Sequence, residues 1–277
     1  MELAINIRNW GPTATPEFLR TCAEAADAST LDAIWFNDHI CLPPVIENNT
    51  YGIPQDMGDI IDPLAFGNYL AACTSRIKFG TGVLVVPYRP MILTSKLVAS
   101  IQALSGGRFL LGIGPGYLEE EFTALGVNKK RRGKITDETL AFLHACSESP
   151  LVECNGQAVE LKPQLNRPPI LIGGNASVAF PRAIKLGDGW MPVGALPDEL
   201  KPQIADFQKQ AADAGRGKLG VYQMKTLPLE NPVEAIELAA GYKEAGVTHL
   251  VHTQGYDSPS QYKEVIDQVD KEIRSKL

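Results

Sequence analysis

The chain has little of what extracellular, membrane or nucleic-acid-binding proteins need. Its 277 residues hold five cysteines, Cys22, Cys41, Cys73, Cys146 and Cys154. The number is odd, the spacings are irregular and no CxxC pair occurs, which argues for free thiols in a reducing compartment rather than a disulfide frame or a zinc site. No apolar run approaches the roughly 20 residues that a membrane helix requires. Met1–Asn6 lacks the basic-then-apolar order of a secretory signal, so a cytoplasmic protein is expected. Positive charge is scarce as well. The net charge is −6 and the pI near 5.3, which argues against a nucleic-acid partner. The longest Lys/Arg run, Lys129–Arg132, reads either as a solvated loop or as a contact for an anionic cofactor tail. There is no HExxH, no cluster of Cys and His and no paired Asp/Glu set, so no metal is expected. The absence of a GxSxG elbow removes the main signal for nucleophilic hydrolysis.

What is present is a repeated alternation. Short apolar runs occur at 3–7, 31–36, 77–86, 109–113, 170–172, 189–193, 221–227 and 249–253. Continuous apolar runs of this kind suit strands of a parallel sheet, buried on both faces. Helical segments are expected between them, over 16–29, 62–73, 93–104, 134–147, 176–186, 197–214, 232–245 and 259–277. Several open with a polar residue followed by proline, as in Thr15-Pro16, Asn231-Pro232 and Ser258-Pro259. Eight strand–helix alternations in a chain of this length point to an α/β fold, with a (β/α)₈ TIM barrel favoured over an open doubly wound sheet. No composition shift marks a second domain, so residues 1–277 are read as one. The segment Cys41–Ile61 is the longest irregular stretch. In a barrel it would lie over the active face.

In such barrels chemistry sits where the strands end. The second run ends in Asn37-Asp38-His39, either a loop-capping pair or a site pair able to contact a cofactor ring and exchange a proton. The third carries Gly80-Thr81-Gly82-Val83, where glycine marks a bulge or the close approach of a ligand. The fourth ends in Gly112-Ile113-Gly114-Pro115-Gly116-Tyr117. This is a poor dinucleotide fingerprint but a plausible flat wall beside a ring, with Gly114 as the candidate contact. Glu119-Glu120-Glu121 follows. The run suits a helix start, with Glu120 kept as a candidate cofactor contact. The fifth ends in Gly173-Gly174-Asn175 before a helix, which is a tight turn or a phosphate seat. His249 and His252 read as core or rim histidines. A Schiff-base barrel is a remote alternative, with Lys225 as its lysine.

These motifs in this order resemble the luciferase-like monooxygenase family, whose members use reduced FMN or the deazaflavin coenzyme F420. The matching stretches are 31–39, 62–64, 74–83, 104–127, 132–138 and 168–190, so the match covers roughly residues 1–195. The resemblance implies a barrel with the cofactor ring at its C-terminal mouth, a cis peptide at Gly82-Val83 behind the ring, and the cofactor phosphate on Gly173, Gly174, Val193 and Gly194. It implies Asp38 and His39 beside the ring, as in the F420-dependent branch, and commonly a homodimer. One departure stands out. Sugar-phosphate dehydrogenases of that branch carry a catalytic Glu where this chain has Tyr117, so that route is not expected, and Tyr117 becomes a candidate for substrate contact. The reading is therefore an F420-dependent hydride transfer to or from a small organic substrate. An FMN-dependent monooxygenase and a non-catalytic flavin-binding protein are the alternatives.

Overall fold

Four helices begin where a polar side chain precedes a proline, because proline has no N–H to leave unpaired in the first turn. Thr15 Oγ1 accepts from Phe18 N at the start of α1 (Pro16–Ala28), and Asp62 Oδ1 from Leu64 N and Ala65 N at the start of α2 (Pro63–Cys73). Asn231 caps α8 (Pro232–Ala245) and Ser258 caps α9 (Pro259–Gln268) in the same way. The remaining helices are α3 (Met91–Ser105), α4 (Glu119–Ala124), α5 (Arg132–Glu148), α6 (Ala176–Leu186) and α7 (Pro197–Asp213). Gly106, at φ +66°, ends α3 at the expected stop. The structure is a computed structural model and describes residues 1–47, 52–54 and 56–277. Part of the expected lid, Cys41–Ile61, thus lies outside the described residues.

The strands β1 (Glu2–Asn6), β2 (Ala33–Phe36), β3 (Lys78–Thr81), β4 (Leu84–Val85), β5 (Phe109–Gly114), β8 (Ile170–Gly173), β9 (Gly189–Met191), β10 (Gly220–Lys225) and β11 (His249–His252) form one parallel sheet. Pairing of β3 with β5 closes it. Because β3 and β4 are two pieces of one stave interrupted at Gly82-Val83, the sheet is a closed eight-stave barrel ringed by helices. Alternate residues divide between two cores. Leu3, Ile5, Ile34, Phe79, Leu111, Ile170 and Leu250 pack outward against the helices. Ala4, Ala33, Trp35, Leu110, Leu171, Met191, Tyr222 and Val251 fill the lumen, with Val83 and Met224 against them.

Two elements depart from the sequence reading. β6 (Leu151–Cys154) and β7 (Gln157–Glu160) form an antiparallel hairpin outside the barrel, turning at Asn155 and Gly156 with φ of 53° and 77°. Its largely exposed faces carry no apolar run, so a search for buried strands passes over it, although Asn-Gly is a strong hairpin turn. The expected helix 259–277 is α-helical only to Gln268 and continues as a π turn and a 3₁₀ turn.

Candidate active site

Asn37, Asp38 and His39 leave the end of β2 in three directions. Asn37 is held by its neighbours: its N–H donates to Asn9 Oδ1 (3.0 Å), and its own Nδ2 donates to Gly82 O (3.0 Å). Asn9, fully buried, donates in turn to the carbonyls of Asn37 and Ile61. The loops after the first and second strands are therefore tied to the interruption in the third stave.

The Asp38 side chain, expected beside a ring, is buried in an ion-pair network. Its buried carboxylate receives both Nη atoms of Arg89 (2.7 and 2.9 Å) and Val85 N (2.8 Å). Arg89 also donates to Asp62 Oδ2 at 2.6 Å, so one guanidinium bridges two carboxylates. Burial opposes the charge on Arg89, but Asp38 and Asp62 outweigh it and hold the group above its ordinary range. Burial likewise works to raise the Asp62 carboxyl, and Arg89 with the two helix-start N–H groups brings it down. Asp38 is thus an anchor: its acceptor positions are occupied and its side chain is sealed from solvent.

His39 is the member of the pair that keeps some exposure. Its Nδ1 lies 3.0 Å from Glu121 Oε2. Tyr88 OH donates to the same oxygen at 2.8 Å, and Ile40 N donates to Oε1 at 2.7 Å. Glu121, 1% exposed, is surrounded by donors and acts as an acceptor, so His39 Nδ1 carries its proton and Nε2 is the nitrogen left for chemistry. Nε2 makes no hydrogen bond to a described residue. Burial, then the Glu121 charge, push the Tyr88 phenol far above its ordinary range, which keeps it a proton donor to Glu121. The Tyr117 ring stands edge-on to the imidazole, with centroids 6.4 Å apart.

The acidic run after β5 therefore splits. Glu119 pairs with Lys129 (3.1 Å) at the helix start and Glu120 is partly exposed there, whereas Glu121 turns inward. Sequence reasoning favoured Glu120 as the contact and missed Glu121, Tyr88 and Arg89. In α4 Glu121 and Phe122 are the buried residues, and Glu121 follows the buried Leu118 at a helical spacing of three.

Gly82-Val83 is a cis peptide. Gly114 does not form an open wall beside a ring. It seats Val83, because a Cβ on Gly114 would lie 2.5 Å from Val83 Cγ2, and one on Gly173 would lie 2.8 Å from Val83 Cγ1. On the other side of Gly173, Gly174 and Gly194 adopt φ of +129° and +66° with open space where a side chain would be. Gly174 N donates to Met191 O, and Trp190 Nε1 donates to Gly174 O, so the turn is fixed to β9. Val193 is 46% exposed beside it. α6 begins at this turn with no side-chain cap. The residues expected around the mouth thus fall in two groups: His39, Tyr117 and Val83 near the second to fourth staves, and Gly173, Gly174, Val193 and Gly194 near the fifth and sixth. His252 is a core histidine, with Nδ1 accepting from Leu227 N and Nε2 facing Gln254 Oε1. Its burial lowers its pKa.

Comparison with known proteins places the chain among relatives of the same fold. An uncharacterised protein of Mycobacterium tuberculosis is 30% identical over 240 residues, covering 82% of this chain and 79% of its own length. An F420-dependent secondary alcohol dehydrogenase, solved with an F420–acetone adduct, superposes with a TM-score of 0.76 at 17% identity over 97% of this chain and 98% of its own. The oxygenating constituent of 3,6-diketocamphane monooxygenase from Pseudomonas putida, solved with FMN, superposes with a TM-score of 0.78 at 15% identity over 100% and 99%. At those identities the two solved structures speak to the fold alone. The profile of luciferase-like monooxygenases matches residues 3–274, and the chain belongs to that family, which includes both F420- and FMN-dependent enzymes.

Proposed function

We propose that the protein transfers a hydride between coenzyme F420 and a small organic substrate at the barrel mouth. The observation that carries this reading is the His39–Glu121 contact. Hydride delivery to a polar double bond requires a proton at the neighbouring heteroatom, and removal of a hydride requires a base there. A histidine fixed through Nδ1, with no described residue bonded to Nε2, meets that need in either direction.

The residues present fit a phosphorylated ring cofactor. The uncapped start of α6 leaves backbone N–H groups without side-chain acceptors, and the positive-φ glycines Gly174 and Gly194 leave room for phosphate oxygens. Val83, wedged between Gly114 and Gly173, would back the ring system. When bound, the deazaflavin supplies the carbon that accepts or gives the hydride. The chain's own residues do the rest. His39 Nε2 holds or takes the proton, Glu121 fixes the imidazole, Tyr88 fixes Glu121, and Tyr117 borders the substrate. Asp38, fixed by Arg89, accepts the N–H of Val85 and so would hold the backbone behind the ring.

The test is a titration of the purified protein with F420 and with FMN, followed by turnover with the cofactor that binds. F420 binding and a His39→Ala variant that binds F420 but loses turnover support the reading. Binding of neither cofactor overturns it. Oxygen uptake with reduced FMN replaces it with the monooxygenase alternative, and undiminished turnover by His39→Ala removes the role given to the histidine.

A further inference from the structure

The lumen side of β1 carries Glu2, Ala4 and Asn6 in alternation, and Arg8 is the next residue in that series. Asn6 closes the lumen, receiving Gln254 N at 2.9 Å and Tyr256 OH at 3.3 Å. Arg8 stands above it at the C-terminal rim, beside the segment that follows β11. Its guanidinium carbon lies 4.6 Å from the centre of the Trp10 ring. On the other side it packs on Gly255, where a Cβ would lie 2.4 Å from Nη1. Trp10 and Gly255 thus form a slot for this one side chain.

Within the slot the cation lacks a counter-ion. Among the described residues no carboxylate reaches ion-pair distance of Arg8 and no acceptor takes its N–H groups. Tyr256 and Asp257 act on it only at longer range, and burial lowers its pKa. A partly desolvated guanidinium with unpaired donors has a strong demand for an oxyanion. That oxyanion is not the one the phosphate cradle would take. In an eight-stave ring the first stave, β1, lies opposite the fifth, β8, which carries Gly173.

The Trp10 side of the slot is tied to the segment before α2. Trp10 pairs with Ile60, and Gly11 N donates to Asp59 O (2.9 Å). Ile60 and Asp59 line a cavity of about 530 Å³ with Ile40, Leu42, Pro43 and Met57. Among the described residues its charged lining side chains, Asp56 and Asp59, are both acidic, so the cavity itself offers an anion no cationic partner.

We propose that Arg8 is a specificity-determining residue, binding the carboxylate of an organic acid at the rim of the barrel. The acid's role as substrate rests on the hydride-transfer reading; its binding does not.

The experiment titrates benzoate and its neutral counterpart benzamide by calorimetry, into the protein alone and into the protein loaded with whichever of F420 and FMN it binds. Wild type is expected to bind benzoate at least about tenfold more tightly than benzamide. Arg8→Gln should abolish that preference, Arg8→Lys should keep part of it, and cofactor affinity should change less than twofold. Gly255→Ala is the second variant. It keeps the charge but displaces the guanidinium, and should also weaken benzoate selectively. Equal binding of the two probes by wild type, or unchanged benzoate binding by Arg8→Gln, overturns the proposal. So does a loss of F420 affinity in Arg8→Gln that is absent for the deazaflavin lacking its charged tail, since the oxyanion would then be the cofactor's. If neither cofactor binds, the hydride-transfer reading fails, while the titration of the protein alone still decides the role of Arg8.

Discussion

Glu121 Oε2 lies 3.0 Å from His39 Nδ1, joining two loops 82 residues apart in the sequence. The contact orients the imidazole without covering Nε2. Glu121→Gln keeps the volume but replaces the acceptor-only carboxylate with a group that also donates. The expected result is a fall in kcat of about 100-fold, the usual worth of a positioned acid or base. Cofactor Kd should stay within twofold, and Glu121→Asp should retain more activity than Gln. A variant with unchanged kcat would end the role assigned to this pair.

Removing Arg89 leaves the buried Asp38 carboxylate uncompensated, so Arg89→Met should destabilise the fold by about 3–5 kcal/mol. Asp38→Ala should cost less, about 1–3 kcal/mol, because Arg89 keeps Asp62 while Val85 N loses its acceptor. The effect is measured by urea unfolding. If Asp38→Ala unfolds like wild type but loses turnover, Asp38 acts on the reaction directly and is not an anchor.

Val83 and Gly114 test the seat behind the proposed ring position. Gly114→Ala would bring its Cβ within 2.5 Å of Val83 Cγ2 and should cost about 1–3 kcal/mol through overpacking. Cofactor affinity should fall with it. Val83→Ala removes the colliding methyl groups, so the double variant should recover much of the loss. Strict additivity of the two substitutions would show that they do not meet.

Asp27 gives a pH dependence remote from the mouth. Burial works to raise its carboxyl, but N–H groups of Ile77, Ser75 and Arg76 and the Ser75 hydroxyl outweigh burial and bring it from 3.8 to about 2. A depressed folded-state pKa means stability that is complete above 3.8 and is lost as pH falls through about 2. Allowing for solvent screening of a partly exposed group, the contribution is about 1 kcal/mol. Acid unfolding of Asp27→Asn should lack this component, and identical acid midpoints for variant and wild type would contradict it.

The barrel was legible because its staves are continuous apolar runs and because proline after a capping residue marks helix starts directly. The hairpin Leu151–Glu160 was not, since Val152 and Cys154 of one short strand are its only buried residues among those described and form no continuous apolar run. At the site, the segment Asn37–His39 and the glycines were legible as polar or permissive residues directly after strands. Their division of labour was not. Asp38 and His39 are adjacent in sequence yet serve opposite ends of the network, because Arg89 claims one and Glu121 the other from loops that only the closed barrel brings near. Glu121 was obscured by Glu119 and Glu120, which satisfy the same helix-start chemistry. Arg8 required following the period of two past the last apolar residue of the first strand.

The interruption at Gly82-Val83 has a bearing on how this stave tolerates change in length. On its two sides Phe79 and Leu84 both pack outward, so two successive residues, Gly82 and Val83, stand on the lumen side between them. The register holds the same extra residue: four steps separate Gly80 from Leu84, where three separate their partners Leu110 and Ile113. A deletion of one residue here would restore strict alternation with Leu84 still outward, whereas an insertion of one residue without a further bulge would turn Leu84 inward and take the amide of Val85 from Asp38. Length variation in this barrel is accordingly expected in the helix-side loops and the hairpin, and in the third stave only as loss of the extra residue.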